Sequence, residues 1–446
     1  MLTVLANRTY RHLLLAQVIA LIGTGLATIA LGLLAYDIAG GDAGAVLGTA
    51  LAIKMAAYIG IAPIAGAFAD RLPRRGLLVT LDLVRAAVAI CLPFVSEIWQ
   101  IYLLIFVLQS ASAAFTPTFQ ATIPDVLPEE RDYTRALSLS RLAYDMEYIS
   151  SPLLAAALLT MINFHWLFSG TAVGFIASAV LVLSVTLPRP ERSATRERSI
   201  YAKTTRGIRI YLKTPRLRGL LAITLAAAAA SSMVIVNTVV IVRDRLGMTQ
   251  RDVALTLAAY GFGSMAAAFI LPPILDRISD RRVMLLSASI LAAVLAALAW
   301  ISGIVPVNTT YWYILLGGWA VLGIGYSMSI TPSGRLLKRS ANAEDRPALF
   351  AAQFALSHIC WLITYPLVGQ LGAGVSMTAA FAAMAAIALF GAILGSLFWP
   401  ASDPESVVHD HPGLPPDHDH LRRHHPEGAS HPYVIDDLHE RWESKS

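Results

Sequence analysis

Apolar residues run through this chain in long blocks, broken only by brief polar stretches between residues 12 and 400. A helix that crosses a membrane needs about 20 apolar residues. Twelve blocks meet that need, at 12–37, 45–69, 76–95, 99–121, 136–160, 164–187, 216–242, 252–275, 283–304, 310–332, 347–370 and 376–399. The pattern predicts an all-α membrane protein of twelve transmembrane helices.

Composition points the same way. Hydrophobic residues make up 56% of the 446 and charged residues only 14%, with a mean hydropathy of +0.61. A soluble chain of this length carries about a quarter of its residues charged, so an ordinary cytosolic enzyme is excluded. Residues 1–12 are polar and the first apolar run is long enough to span, which does not read as a cleaved signal peptide. Cys91 and Cys360 both lie in apolar stretches and give neither a disulfide framework nor a cysteine metal site. No nucleotide-binding loop, metallohydrolase helix or nucleophile elbow is present. Neither an enzyme, a resident cofactor nor a nucleic-acid partner is expected.

The cations fall on alternate connections. Arg71, Arg74 and Arg75 follow the second block, Arg131 and Arg135 the fourth, Arg277, Arg281 and Arg282 the eighth, and Arg335, Lys338, Arg339 and Arg346 the tenth. Connections between them carry almost none, apart from Arg243, Arg245 and Arg251 after the seventh block, which Asp244 and Asp252 offset. Lys and Arg are retained on the cytoplasmic side. Both termini are therefore expected in the cytoplasm of a bacterial-type inner membrane. The long connection 188–215 is basic, and Ser199 to Leu212 has an amphipathic pattern with Ile200, Tyr201, Ile208 and Tyr211 toward lipid headgroups. A solvated linker is the equal alternative. It separates a six-helix bundle at 1–187 from a second at 216–400, with a tail at 401–446.

The halves echo one another. Gly66 to Arg75 reads Gly-Ala-Phe-Ala-Asp-Arg-Leu-Pro-Arg-Arg, and Asp276, Arg277, Arg281 and Arg282 stand at the matching place after the eighth block. Thr116-Pro117 precedes Glu129-Glu130-Arg131 as Thr331-Pro332 precedes Glu344-Asp345-Arg346, at the same spacing. Two parallel repeats of this kind form a cavity at their pseudo-twofold axis, the architecture of a transporter.

The first of these loops resembles the signature of the major facilitator superfamily, through Gly66, Asp70, Arg71, Arg74 and Arg75, with Pro73 where the family usually has glycine. The resemblance covers the whole membrane region and implies the major facilitator fold of two pseudo-symmetric six-helix bundles. It also implies that Asp70 and its cations, with the weaker copy at Asp276, Arg277, Arg281 and Arg282, form a conformational latch between the halves. In the fifth block, Ser151, Pro152, Ala155 and Ala156 resemble a degenerate form of the motif on helix 5 of the family's proton-coupled exporters. Residues small enough for close helix approach replace its glycines. Export is the direction this implies.

Ionisable side chains inside spans are costly and mark function by default. The fifth block carries Arg141, Asp145 and Glu147; Asp145 lies about 15 Å beyond Arg135 at the helical rise. Lys54 and His358 sit at comparable depth in the second and eleventh blocks. In the resembled family these helices meet at the contact between halves. Asp145 or Glu147 is then expected to exchange a proton for a cationic substrate, with Lys54 as counter-charge; a static cluster that fixes packing is the alternative. Asp82 and Arg85 are expected to snorkel or to support the latch.

After residue 400 the composition shifts to Pro, Asp and His, with His409, His411, His418, His420, His424, His425, His431 and His439. Such a stretch needs no packed core, and imidazole beside carboxylate suits nickel, cobalt, zinc or copper(II). With this tail the chain resembles the nickel-resistance exporters of the superfamily. The expectation is a secondary transporter working with lipid, protons and a small solute, foremost proton-coupled export of a divalent metal ion. The alternative is export of an organic compound such as a drug or siderophore, favoured if aromatics such as Trp300, Trp312, Trp319 and Trp361 line a broad cavity.

Overall fold

The computed structural model describes residues 2–68, 73–187, 200–342, 345–403, 406–408, 430–436, 439 and 442. Among them, the first half holds α1 (Arg8–Ala39), α2 (Ala43–Phe68), α3 (Arg74–Cys91), α4 (Ile98–Val126), α5 (Glu130–Leu158) and α6 (His165–Leu183). A basic helix, α7 (Ile200–Lys213), leads into α8 (Pro215–Val239), α9 (Gln250–Leu275), α10 (Asp280–Ile304) and α11 (Thr309–Ile330). A short α12 (Ser333–Arg339), α13 (Arg346–Gly374) and α14 (Met377–Phe398) follow, then strands β1 (Ser406–Val408) and β2 (Ser430–Pro432). Setting aside α7 and α12, the twelve long helices are those the apolar blocks predict.

Ten stretches are long and apolar enough to cross a membrane. One of them, Arg8–Ala62, runs through both α1 and α2. Helix α5 is not among the ten, because Glu130, Arg131, Asp132, Arg135, Arg141, Asp145 and Glu147 lower its hydropathy. It starts at Glu130, six residues before its apolar block, since polar groups fit the first turns of a helix that emerges from lipid. Sequence supplies the ends elsewhere. The Asn7, Asn308 and Ser376 side chains accept from the backbone N–H groups of Tyr10, Tyr311 and Ala379 at 3.0–3.1 Å, and Glu97 with Gln100 and Thr249 with Asp252 form capping boxes.

Packing repeats between the halves. Helix α1 lies on α5 and α6, α2 on α4, and α3 on α4 and α6; in the same order α8 lies on α13 and α14, α9 on α11, and α10 on α11 and α14. Two further contacts join the halves, α2 on α13 and α5 on α9, and they correspond to one another under the same pairing. All four inner helices therefore border the space between the bundles.

Toward the end of the bundle away from α7, α2 and α13 meet backbone to backbone. A methyl group on Gly48 would meet the Tyr365 carbonyl, with its carbon at 3.2 Å, and one on Gly369 would lie 2.9 Å from the carbonyl carbon of Gly44. Asn237 of α8 caps this seam: its amide donates to the Val368 carbonyl at 3.2 Å, and its oxygen points at Gly44 and Gly372.

Asp82 and Arg85 do not snorkel. They form an ion pair inside the first bundle, with Asp82 fully buried and accepting from Ser178 at 2.7 Å. The Arg85 guanidinium lies between the Phe115 and Phe175 rings, 4.2 and 4.5 Å from their centroids. Pairing at i and i+3 with a hydroxyl and two ring faces replaces the water that snorkelling would seek. Asp82→Ala removes the buried carboxylate from beside the Arg85 charge, and should destabilise the bundle by about 3–5 kcal/mol. Thermal unfolding in detergent checks this; an unchanged midpoint would show that the pair contributes nothing.

Helix α7 turns inward rather than to lipid. Tyr211 is fully buried and donates to Gln353 of α13, while Arg206 holds both Asp345 oxygens at 2.6 and 3.0 Å. Ile208 packs against the core, and the side chains of Ile200 and Tyr201 lie outside the described residues. The end of the tail also packs. Asp403 accepts from Arg339 at 2.6 Å and Trp399 at 3.0 Å and lies 3.6 Å from buried Arg216. Arg216 in turn donates to the Tyr433 carbonyl at 3.5 Å and stands 4.8 Å from the Trp442 ring. Tyr433, Val434, Ile435 and His439 are buried, and β1 pairs antiparallel with β2.

Candidate functional site between the two halves

Three ionisable residues from three helices approach one another between the bundles. Glu147 of α5 and Lys54 of α2 interact through their charges, and Lys54 acts likewise on His358 of α13. Each is half-buried in the middle part of its helix, and neither Glu147 nor Lys54 makes an ion pair among the described residues. The carboxylate and ammonium are thus not in contact, and the low dielectric around them lets each charge act on the other at a distance. Glu147 also backs onto α1, since a methyl on Gly25 would come within 2.6 Å of its Oε1.

Rings gather around His358. Tyr58, one turn beyond Lys54 on α2, stacks on His358 at 5.6 Å and lies 5.9 Å from Phe354. Phe354 and His358 are 4.0 Å apart, and Trp361 lies 6.4 Å from His358. The His358 ring is tied to the Phe354 carbonyl at 2.6 Å, and the Trp361 indole donates to Ser231 of α8 at 2.8 Å. A second group of rings, Tyr260, Tyr326 and Tyr365, comes from α9, α11 and α13. Of the four tryptophans singled out in the sequence, only Trp361 joins the ring cluster around His358. Trp312 donates to Thr256, Trp319 is buried against Thr238 and Phe381, and Trp300 is 69% exposed on the bundle surface.

Other predicted residues are placed as follows. Arg141 and Asp145 belong to α5, but their side chains lie outside the described residues, as does that of Pro152. Ser151, Ala155 and Ala156 are buried, and Ser151 occupies the space above Gly25, so small residues do serve close packing there. Gly66 is in α2, while Asp70 and Arg71 lie outside the described residues. Arg74 pairs with Asp125 at the end of α4, and Arg75 donates to the Leu183 carbonyl at the end of α6. The second half mirrors this with charges exchanged. Arg281 donates to the Trp399 and Ser396 carbonyls at 2.8 and 3.3 Å at the end of α14, whereas Asp280 takes the ion pair, with Arg335 of α12. These latch contacts each stay within one half. Asp276, Arg277 and Arg282 are exposed, and the two arginines line, with Ser279, Arg281 and Ala401, a depression of about 520 Å³. Among the described residues no group of three His, Cys, Asp or Glu side chains is placed to hold a metal. Of the tail histidines, His409, His411, His418, His420, His424 and His425 lie outside the described residues, as does the His431 side chain; His439 bonds Asp436 at 2.9 Å.

The sequence profile of the Major Facilitator Superfamily matches residues 13–304 and again 220–416. The chain belongs to that superfamily. Within it, the chain is 30% identical over 129 residues to an uncharacterised MFS-type transporter, YfiS, of Bacillus subtilis, covering 29% of this chain and 30% of that one. It is 26% identical over 153 residues to macrolide efflux protein A of Streptococcus pyogenes, 32% of this chain and 38% of that one. The alignments thus span about a third of these relatives. Solved structures share the superfamily fold at low identity. A POT family transporter in complex with 5-aminolevulinic acid, 13% identical, aligns with TM-score 0.69 over 88% of this chain and 96% of its own. The nucleoside transporter NupG, 14% identical, aligns with TM-score 0.65 over 87% of this chain and 98% of its own.

Gly25, Tyr58, Phe354, Asp125 and Asp280 were not marked by the sequence as part of any site. Asp280 stood in the quoted loop but had no partner until α12 formed. The others carry a signal only once helix register is known, because neighbours across helices are distant in sequence.

Proposed function

We propose that this superfamily member exports an amphipathic organic solute in exchange for protons, with its arginine-rich end in the cytoplasm. The observation that carries this reading is that Glu147 on α5 and Lys54 on α2, two charges placed inside apolar helices, lie near enough for each to act on the other. A carboxylate in an apolar bundle is held ionised by a cation and takes a proton when that cation is withdrawn or replaced. Exchange of a proton for a cationic cargo at Glu147, with Lys54 as the movable counter-charge, couples the two fluxes. Small residues Ser151, Ala155 and Ala156 on α5, and the partial likeness to a macrolide efflux protein, support outward transport.

The rings of Tyr58, Phe354, His358 and Trp361 favour an organic cargo, since apolar and aromatic walls with a few polar groups suit such ligands. A dication prefers several oxygen or nitrogen ligands, and among the described residues Glu147 is the carboxylate near the Lys54 ammonium. Export of nickel or cobalt is the second reading, favoured by the eight-histidine tail whose far end docks at the arginine-rich end of the bundle.

Inverted membrane vesicles under an imposed proton gradient test both. Gradient-dependent uptake of ethidium or a macrolide, without uptake of nickel, cobalt or zinc, is expected. Metal uptake without organic uptake would replace the first reading with the second. Uptake insensitive to the gradient would overturn proton coupling.

A further inference from the structure

Helix α5 crosses α1 at a place where α1 has no side chain. A methyl on Gly25 would lie 2.6 Å from Glu147 Oε1 and would collide with the Ser151 side chain. Glu147 and Ser151 are one turn apart on α5, so carboxyl and hydroxyl lie side by side in a notch floored by Gly25. Ser151 is 2% exposed, and its hydroxyl has no hydrogen-bond partner among the described residues. Serines and threonines in these helices normally return their proton to the carbonyl one turn back, as Ser150 does to Met146 at 2.8 Å and Thr24 does to Ala20 at 2.9 Å. For Ser151 that carbonyl belongs to Glu147, and the bond is not made. A buried hydroxyl left unpaired costs about 1–3 kcal/mol, so its place beside a carboxyl needs a reason.

We propose that Ser151 is a positioning residue for the Glu147 proton and that Gly25 leaves the room for it. Glu147 then has two seats. Turned toward Lys54 it is a carboxylate in the field of an ammonium. Turned into the notch it is a carboxylic acid hydrogen-bonded to the Ser151 hydroxyl, which can donate to it or accept from it. No proton passes to Ser151; the hydroxyl only fixes where the acid rests. Lys54 of α2 is near enough for its charge to act on Glu147 and on His358 of α13. Helix α1 has no titratable residue between His12 and Tyr36, and Tyr260 is the titratable residue in the middle of α9, which packs on α5. Arg141 and Asp145 of α5 have side chains outside the described residues. This inference rests on the reading of Glu147 as the coupling carboxylate.

Infrared difference spectra of the purified full chain, recorded across a pH titration, read the carboxyl group without any cargo. The C=O band that disappears in Glu147→Gln belongs to Glu147. In Ser151→Ala that band should move to the higher frequency of an acid without a hydrogen bond, and its titration midpoint should be displaced by at least about half a pH unit. Gly25→Ala should do the same or more, whereas Gly23→Ala, whose methyl meets Thr171 only at 3.4 Å or beyond, should leave both unchanged. An unmoved band and midpoint in Ser151→Ala would overturn the proposal even if Gly25→Ala fails to fold. If no band disappears in Glu147→Gln across the titration, the coupling role of Glu147 fails first, and the notch with it.

Discussion

Glu147→Gln is expected to abolish uphill transport while leaving a folded protein. Gln has nearly the volume of Glu, so packing against Gly25 and Ser151 is kept and stability should change by less than about 1 kcal/mol. What is lost is the ability to take and release a proton. Lys54 then faces a neutral amide in every state, and no difference in its partner distinguishes a loaded carrier from an empty one. Proton-driven accumulation should fall to below about one-hundredth of the wild-type rate. Accumulation at more than half the wild-type rate would show that the pair only fixes helix packing, the static alternative its sequence position also allows.

A comparable loss should follow from a single methyl at the seam between α2 and α13. Gly48→Ala drives a carbon into the Tyr365 carbonyl, and Gly369→Ala drives one toward the Gly44 backbone; neither target is the yielding end of a side chain. The two helices must separate by a substantial part of an atomic diameter, and interfaces packed this tightly tend to switch rather than stretch. Gly60→Ala, on the same helix, meets nothing within 4 Å and is the internal control. It should be neutral or stabilising by up to about 1 kcal/mol, because alanine is the better helix former. In a background without Cys91 and Cys360, Val368→Cys reports on the seam, since Val368 is fully buried there. It should be inert to a thiol reagent in the parent and reactive with Gly48→Ala, with transport down by at least about tenfold. An inert cysteine with full transport would show that the seam does not need its glycines.

The helices were legible because lipid demands long apolar runs, and this signal lies entirely along the chain. Most predicted boundaries differ from the observed ones by only a few residues. The largest shifts are at the end of α4 and the start of α5, where charged or polar turns continue the helix beyond its apolar stretch. Lys54, Glu147 and His358 were legible for a related reason, since a charge in an apolar run stands out without any structure. Their neighbours were not. Tyr58 and Phe354 look like lipid-facing rings until the register of α2 and α13 brings them to His358. The Arg74 pairing with Asp125 and the exchanged pairing of Asp280 with Arg335 depend on loops folding back, which periodicity does not encode. The buried Asp82–Arg85 pair was misread because sequence gives depth along a helix but not the direction a side chain takes around it.

Arg216 and Asp403 have a practical consequence for anyone who wishes to remove the histidines. Strands β1 and β2, which flank the histidine-rich residues 409–429 in sequence, pair with one another, Val408 opposite Ser430. Cutting the chain after Asp403 would delete Tyr433, Ile435 and Trp442 along with that stretch, uncover Arg216 at the foot of α8, and strip apolar cover from the second bundle. A transport defect in such a truncation would report on the missing cover as readily as on metal. Exchanging the six histidines between the strands for serine within the intact chain separates the two, because it leaves β1, β2 and the residues packed around Arg216 unchanged.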